Sequence, residues 1–217
     1  MANVLAFYRH PETHYGEERS PLGTQLTEEG TEELKRNIPG LSSALSSIAG
    51  EAVSDITLFC SREKRSKETG AILASHLEKL GNVRVSEAPQ LDPLRIDDMD
   101  RYRRERKLLT MGHETWGQLF LKRKYMENST SYREGFRGLL LRTSGWLVDN
   151  FFADGASGVK VVSGHGENGT ALLRDVFGID VGLLRNEFFI LSNGGDDVRL
   201  DFRGQQYNFS KKGLTNY

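Results

Sequence analysis

Val4-Leu-Ala-Phe-Tyr8 is an unbroken apolar run, and the basic pair Arg9-His10 follows it directly. A run of this length without turn residues suits a buried strand, and the charged pair at its end suits delivery into a loop. Asp55-Ile-Thr-Leu-Phe-Cys60 reads as a second buried strand, after which Ile72, Leu73, Leu77 and Leu80 recur at helical spacing until Gly81 stops the pattern. Val83-Arg-Val85 is a brief third strand. Val159-Lys-Val-Val-Ser163 is a fourth, and Ala171-Leu-Leu-Arg-Asp-Val-Phe177 has the spacing of a helix ending at Gly178. This alternation predicts an α/β fold, a three-layer sandwich with a largely parallel central sheet and helices on both faces. Its ligand site is expected at the carboxyl ends of the strands.

The remaining segments fit around that frame. Thr27 is a cap-like residue followed by acids and then Leu34, which predicts a helix that Pro39-Gly40 interrupts and that resumes over 41–48. Phe188-Phe-Ile-Leu191 and Val198-Arg-Leu-Asp-Phe202, separated by Ser192-Asn-Gly-Gly195, predict a terminal hairpin or two adjacent strands. The charged stretch from Asp97 to Lys107 and the helix-like sequence from Thr115 to Leu147 predict a helical insertion at about 93–153, inside one domain spanning 1–217.

Composition limits the classes of function. The 217 residues are 37% hydrophobic and 27% charged, enough apolar content for one sizeable core. Lys plus Arg number 29 against 30 Asp plus Glu, so no excess charge draws the molecule to nucleic acid or an anionic membrane. Any anion site must therefore be local. Cys60 is the only cysteine, which excludes a disulfide within the chain, and the first residues do not read as a secretory signal. No apolar run approaches the roughly 20 residues that span a bilayer. A soluble, cytoplasmic protein is expected, with a homodimer left open.

Three strand ends each deliver a basic residue: Arg9-His10 after the first, Arg65 just after the second and His165 after the fourth. In an open α/β sheet these loops share one rim, so the four side chains can meet around a single small anion. Phosphate suits such a set. Arginine gives forked, charge-assisted hydrogen bonds to phosphate oxygens, and a histidine held through one ring nitrogen can attack phosphorus with the other.

Phe7-Tyr-Arg-His-Pro-Glu-Thr13 resembles the Arg-His-Gly motif of the histidine phosphatase superfamily, the phosphoglycerate mutase-like proteins, with Pro where Gly is usual. Ser61-Arg-Glu-Lys-Arg-Ser-Lys-Glu-Thr69 is similar to the family's second block, a Ser four residues before an Arg that is itself four before a Thr. That register selects Arg65 over Arg62. Val161-Val-Ser-Gly-His-Gly166 resembles the segment carrying the family's second histidine, and Leu26-Thr-Glu-Glu-Gly30 matches the start of its first helix. The resemblance implies a phosphatase in which His10 attacks a phosphomonoester and forms a phosphohistidine that water then hydrolyses. Arg9, Arg65, His165 and Thr13 would bind the phosphate of a phosphorylated small molecule, with no metal or organic cofactor. A phosphate-binding scaffold with little turnover and a phosphomutase are the alternatives.

Two departures from the family pattern bear on the chemistry. Gly16 stands where the family often has Asn. The Leu-x-Glu block that supplies a proton donor in many members reads Gln90-Leu-Asp-Pro-Leu-Arg95 here, with Pro93 at the Glu position. Asp92 is the nearest carboxyl group, and Glu167, two residues after His165, is the alternative donor. Asp92 also suits an ordinary turn carboxylate, and Glu167 also suits simple stabilisation of a helix start. Phosphohistidine phosphatases resemble this Leu-x-Pro pattern, and their leaving group needs little protonation. The run Arg101 to Lys107 reads as a solvated helix face or the rim of a polyanion pocket. Trp116, Phe120 and Tyr125 read as packing residues or part of a lid.

Overall fold

The computed structural model describes residues 3–11, 13, 25–50, 53–94, 130–153 and 155–214. Gly16, residues 101–107 and Trp116, Phe120 and Tyr125 lie outside the described residues, as does most of the expected insertion.

Seven strands form one sheet in the order β3-β2-β4-β1-β5-β6-β7. Strands β1 (Asn3–Arg9), β2 (Asp55–Cys60), β3 (Asn82–Glu87) and β4 (Gly158–Gly164) are mutually parallel. Strands β5 (Phe188–Gly194), β6 (Asp197–Phe202) and β7 (Gln205–Ser210) extend the sheet antiparallel from β1. The parallel half is the expected α/β sandwich, and β5 and β6 are the expected hairpin. Strand β7 was not foreseen, because only Tyr207 and Phe209 are apolar in it and both are half-buried.

Alternate residues of the central strands feed two separate cores, as the period of two requires. Val4, Ala6 and Tyr8 of β1 face a layer built from α1 (Glu28–Ala49) and α2 (Lys64–Leu77), with Leu34, Ile38, Leu41, Leu45, Leu73 and Leu77 buried in it. Leu5 and Phe7 face the opposite layer, built from α3 (Thr130–Leu147) and α4 (Gly166–Ala171), each extended by a wider turn over Val148–Phe152 and Leu172–Val176. No helix among the described residues is long and apolar enough to cross a membrane.

Two helices differ from their sequence expectation. The helix from Thr27 is continuous through Pro39, not interrupted there. Pro39 and Gly40 are exposed, while Leu34, Ile38, Leu41 and Leu45 keep one buried stripe on both sides of them. Tertiary burial of that stripe outweighs the single hydrogen bond that proline forfeits. The helix expected at Ala171 instead begins at Gly166, directly after His165. Its buried face there is Gly166, Asn168, Gly169, Thr170 and Ala171, small or polar residues that leave no hydrophobic period to read.

Gly164 fixes how β4 ends. A Cβ at this position would lie 2.5 Å from the Phe7 ring, and that ring is fully buried and stacked on Phe189 at 5.4 Å. The ring has nowhere to move. Gly164→Ala should therefore cost about 1–3 kcal/mol of stability, the usual range for overpacking. A urea midpoint indistinguishable from wild type would show that the ring yields.

Candidate active site

The register of the parallel strands brings the chemistry-bearing loops to one rim. Arg9 lies opposite Gly164 across the β1–β4 pair, and Cys60 lies opposite Ser163 across β2–β4. His10, Ser61 and His165 therefore leave the sheet at the same level. The His10 backbone N–H donates to the Gly164 carbonyl at 3.1 Å. The His10 and His165 rings stand edge to face, 5.1 Å between centroids and 70° apart, and both are buried.

His10 is held in one tautomer. Its Nδ1 is 2.8 Å from the Pro11 carbonyl, which can only accept, so Nδ1 carries the hydrogen and Nε2 keeps its lone pair. Burial pushes the His10 pKa well below its ordinary value, and the nearby cations Arg65, Arg9 and Arg185 add to that, against the opposing Pro11 hydrogen bond. His165 is lowered in the same direction by burial, then by His10, Arg65 and Arg9. Both imidazoles are neutral near physiological pH.

The loop between β2 and α2 supplies the next layer. Ser61 Oγ meets His165 Nε2 at 2.7 Å. Ser66 Oγ donates to the Ser163 carbonyl at 2.6 Å, and Ser163 Oγ donates back to the Ser66 carbonyl at 2.8 Å, which stitches the start of α2 to the end of β4. Arg65 projects from this first turn and is buried, and Thr69 Oγ1 donates to the Arg65 carbonyl at 2.8 Å. Arg9 NH1 donates to the Leu183 carbonyl at 2.5 Å, and its guanidinium lies over Gly166, where a Cβ would come within 2.6 Å of the guanidinium carbon. The expected set of Arg9, His10, Arg65 and His165 is thus gathered in one place. Thr13 is buried and paired with Leu26 across a short antiparallel bridge.

The two expected carboxylates differ in their surroundings. Asp92 is buried just beyond the turn Pro89–Leu91 and accepts from the Arg62 backbone N–H at 3.0 Å, from Arg62 Nε at 2.8 Å and from Arg62 NH2 at 2.5 Å. Both of its oxygens are occupied as acceptors by Arg62. Arg62, outside the phosphate register, thereby has a role of its own. Glu167 is half-buried in the first turn of α4, one residue beyond Gly166. Cys60 is buried, and burial pushes its thiol up to about 11, so it is not a competing nucleophile.

Two residues at the site were missed from the sequence. Glu63 is fully buried, with Oε2 2.5 Å from Arg65 Nε and 3.8 Å from His165 Nδ1. Burial raises its carboxyl to about 7, against the pull of Arg65 and with help from Glu167 and Asp92. Arg185 is exposed on the loop before β5, near enough to His10 to lower it. Glu63 lies inside the quoted block Ser61–Thr69, two residues from each of Ser61 and Arg65, but only Ser61, Arg65 and Thr69 carried its register, and Arg185 belongs to no quoted block. A cavity of about 320 Å³ lies elsewhere, lined by Thr170, Arg174, Leu184 and Arg203, and it touches none of the four basic residues. Convergence of side chains, not cavity size, locates the chemistry.

The fold is shared with several solved phosphatases, and these match this chain over nearly its whole length and theirs. Glucosyl-3-phosphoglycerate phosphatase from a mycobacterium superposes with a TM-score of 0.55 at 15% identity, covering 93% of this chain and 98% of its own. A mutant of phosphoserine phosphatase from Entamoeba histolytica, in complex with phosphoserine, gives 0.56 at 12% identity, with 97% and 98% covered. SixA from Agrobacterium tumefaciens, assigned as a phosphohistidine phosphatase, gives 0.55 at 10% identity, with 94% and 97% covered. No family model and no curated protein sequence matches the chain.

The buried titratable groups make stability depend on pH with opposing signs. His10 and His165 are depressed in the fold, so the unfolded chain takes up protons below about 6.5 that the fold does not, and stability falls with acid. Glu63 is raised from 4.5 to about 7, so between those values the fold holds the extra proton and stability falls as pH rises. Between pH 6 and pH 5 the two histidines act against the one carboxyl group, so on balance these groups make acid destabilising. His10→Asn should flatten that slope by about one proton in urea titrations at the two pH values. An unchanged slope would show that His10 is not buried as a neutral ring.

Proposed function

We propose that this protein is a metal-independent phosphatase that hydrolyses a phosphomonoester through a phosphohistidine on His10. One observation carries this reading: His10 is neutral, its Nδ1 hydrogen is committed to Pro11, and its Nε2 lone pair is left beside Arg9, Arg65 and His165. A neutral imidazole with one nitrogen anchored is a competent nucleophile, whereas an imidazolium is not. In the first step the Nε2 lone pair forms a bond to phosphorus as the ester P–O bond breaks, and the departing oxygen takes a proton. In the second, the oxygen of water bonds to phosphorus as the P–N bond breaks, His10 regains its lone pair, and the group that protonated the leaving oxygen takes back the proton that water loses. Arg9, Arg65 and His165 stabilise the equatorial oxygens, where preorganised donors act most strongly. The histidine phosphatase fold and the phosphatase activities of its structural neighbours support the same class of reaction.

The identity of the acid shapes the substrate class. With Asp92 engaged by Arg62, Glu167 is the better placed carboxyl group for an ester with a poor leaving group. The engagement of Asp92 also favours a second reading, a labile N-phosphate such as phosphohistidine, whose departing nitrogen needs little help.

His10→Ala should abolish release of phosphate from p-nitrophenyl phosphate while leaving the circular dichroism spectrum intact, and chelators should not affect the wild-type rate. Retention of a tenth of the activity would remove His10 from the mechanism. Arg65→Ala should slow turnover by roughly 10² or more, the usual loss for one transition-state donor, and exceed the effect of Arg62→Ala. Equal losses would show that the register of the second block is misassigned. Glu167→Gln should slow an alkyl phosphate by about 10² and p-nitrophenyl phosphate much less, within the range of general acid catalysis. If neither Glu167→Gln nor Asp92→Asn separates the two substrates, the N-phosphate reading replaces the ester.

A further inference from the structure

Glu63 is a carboxyl group where the phosphate site has no obvious need of one. It is fully buried, and neither of its oxygens has an aligned hydrogen-bond donor. Around it stand Arg65 from its own loop, His165 from the end of β4, Asp92 from the segment after β3 and Glu167 from α4. An ionised carboxylate left so poorly hydrogen-bonded in a dry site is costly, and the two acidic neighbours increase that cost. A shared proton relieves it.

We propose that Glu63 is the positioning residue of this site: it fixes Arg65 through the inner edge of its guanidinium, and it holds the proton that His165 receives when a tetrahedral dianion binds. The inference rests on the phosphate-site reading and adds to it a residue and a proton path. Contact at Arg65 Nε leaves the two outer guanidinium nitrogens for the anion. The gap from Glu63 Oε2 to His165 Nδ1 is 3.8 Å, so a movement of about 1 Å makes an N–H···O bond. In the empty site the proton is on Glu63 and the imidazole is neutral. As the dianion enters, the Oε2–H bond breaks and the Nδ1–H bond forms, so Glu63 becomes a carboxylate between Arg65 and an imidazolium. No proton is gained or lost overall. The anion then faces Arg9, Arg65 and a charged His165, with His10 still neutral beside it. Ser61 Oγ, on His165 Nε2 at 2.7 Å, keeps the ring in place during the transfer.

The position of the carboxyl argues against a leaving-group donor. Both Glu63 oxygens are shut off from solvent, against the inner edge of Arg65 rather than its outer nitrogens. Above pH of about 7 Glu63 has lost its proton, and the dianion must draw one from water to charge His165. Affinity then falls as pH rises.

Sulfate is a suitable probe because it is a tetrahedral dianion throughout the relevant range and cannot be hydrolysed. Its affinity for the wild-type protein, measured by calorimetry from pH 6 to 8.5, should be level up to about 7 and then fall about tenfold per pH unit, the linkage of one proton. Glu63→Gln should bind sulfate more weakly at pH 6 and lose the break near pH 7, because it has no proton to pass to His165. A level wild-type profile, or a Glu63→Gln profile parallel to it, would overturn the proposal. If Glu63→Gln does not fold, ¹⁵N spectra of the wild-type imidazoles decide: sulfate at pH 6.5 should convert His165 to the imidazolium, and a ring that stays neutral overturns the transfer. Sulfate that fails to bind at any pH removes the phosphate site itself and this inference with it. Sulfate binding with the expected profile in a protein that does not turn over phosphomonoesters would leave the Glu63 inference standing and remove the phosphatase reading.

Discussion

The level ending of β1, β2 and β4 is the constraint on which the site depends. Because Arg9 is opposite Gly164 and Cys60 is opposite Ser163, a one-residue slip in either pairing would carry His10 or the Ser61 loop about 3.3 Å along the sheet and reverse its facing. The two cores forbid the slip. Val4, Ala6 and Tyr8 belong to one and Leu5 and Phe7 to the other, so β1 has no polar face on which a shifted register could rest. Local links add precision to that alignment. The His10 N–H on the Gly164 carbonyl and the reciprocal Ser66–Ser163 hydroxyl bonds join the three loops within a residue or two of the functional side chains.

Burial gives these residues their chemistry. An exposed histidine at the end of a strand would titrate near 6.5, and guanidinium groups around it would be screened by water and salt. Burial first, and then Arg65 and Arg9, hold the His10 pKa below its ordinary value, so under the proposed function the cations that would bind a phosphate would also favour a neutral His10. The arrangement requires glycine twice. Gly164 leaves room for Phe7 beneath the loop, and Gly166 leaves room for the Arg9 guanidinium beside His165.

The strand ends and their basic residues were legible in the sequence because hydrophobic runs and arginine or histidine are strong, local signals. Arg65 was separable from Arg62 only through the spacing to Ser61 and Thr69, and those two residues prove to be structural contacts of His165 and of the Arg65 carbonyl. The start of α4 was illegible because its buried face is made of glycine, asparagine, threonine and alanine. The continuity of α1 through Pro39 was illegible for the opposite reason: a strong local signal was overruled by a buried stripe spanning 34–45. Glu63, although inside the Ser61–Thr69 block, and Arg185 carry no signal of their own in the chain. Their significance lies in neighbours contributed by other elements, His165 to Glu63 and His10 to Arg185.

The loop Ser61–Arg65 divides its charged residues between two tasks, and that division explains why its sequence alternates as it does. Arg62 turns outward to the segment after β3 and grips Asp92 with its backbone N–H and guanidinium, fixing that carboxylate. Glu63 and Arg65 turn inward and face each other. Exchanging the facing of Arg62 and Glu63 would bring a third guanidinium against Arg65 and His165 and leave Asp92 without its clamp. The observed order puts a carboxyl group, which can give up its proton and take on negative charge, beside the buried Arg65 in place of a further cation. The same order ties the Asp92 carboxylate down with three hydrogen bonds. The carboxyl group inside the site and the occupied oxygens of Asp92 are therefore two consequences of a single choice, which residue of the loop points in and which points out.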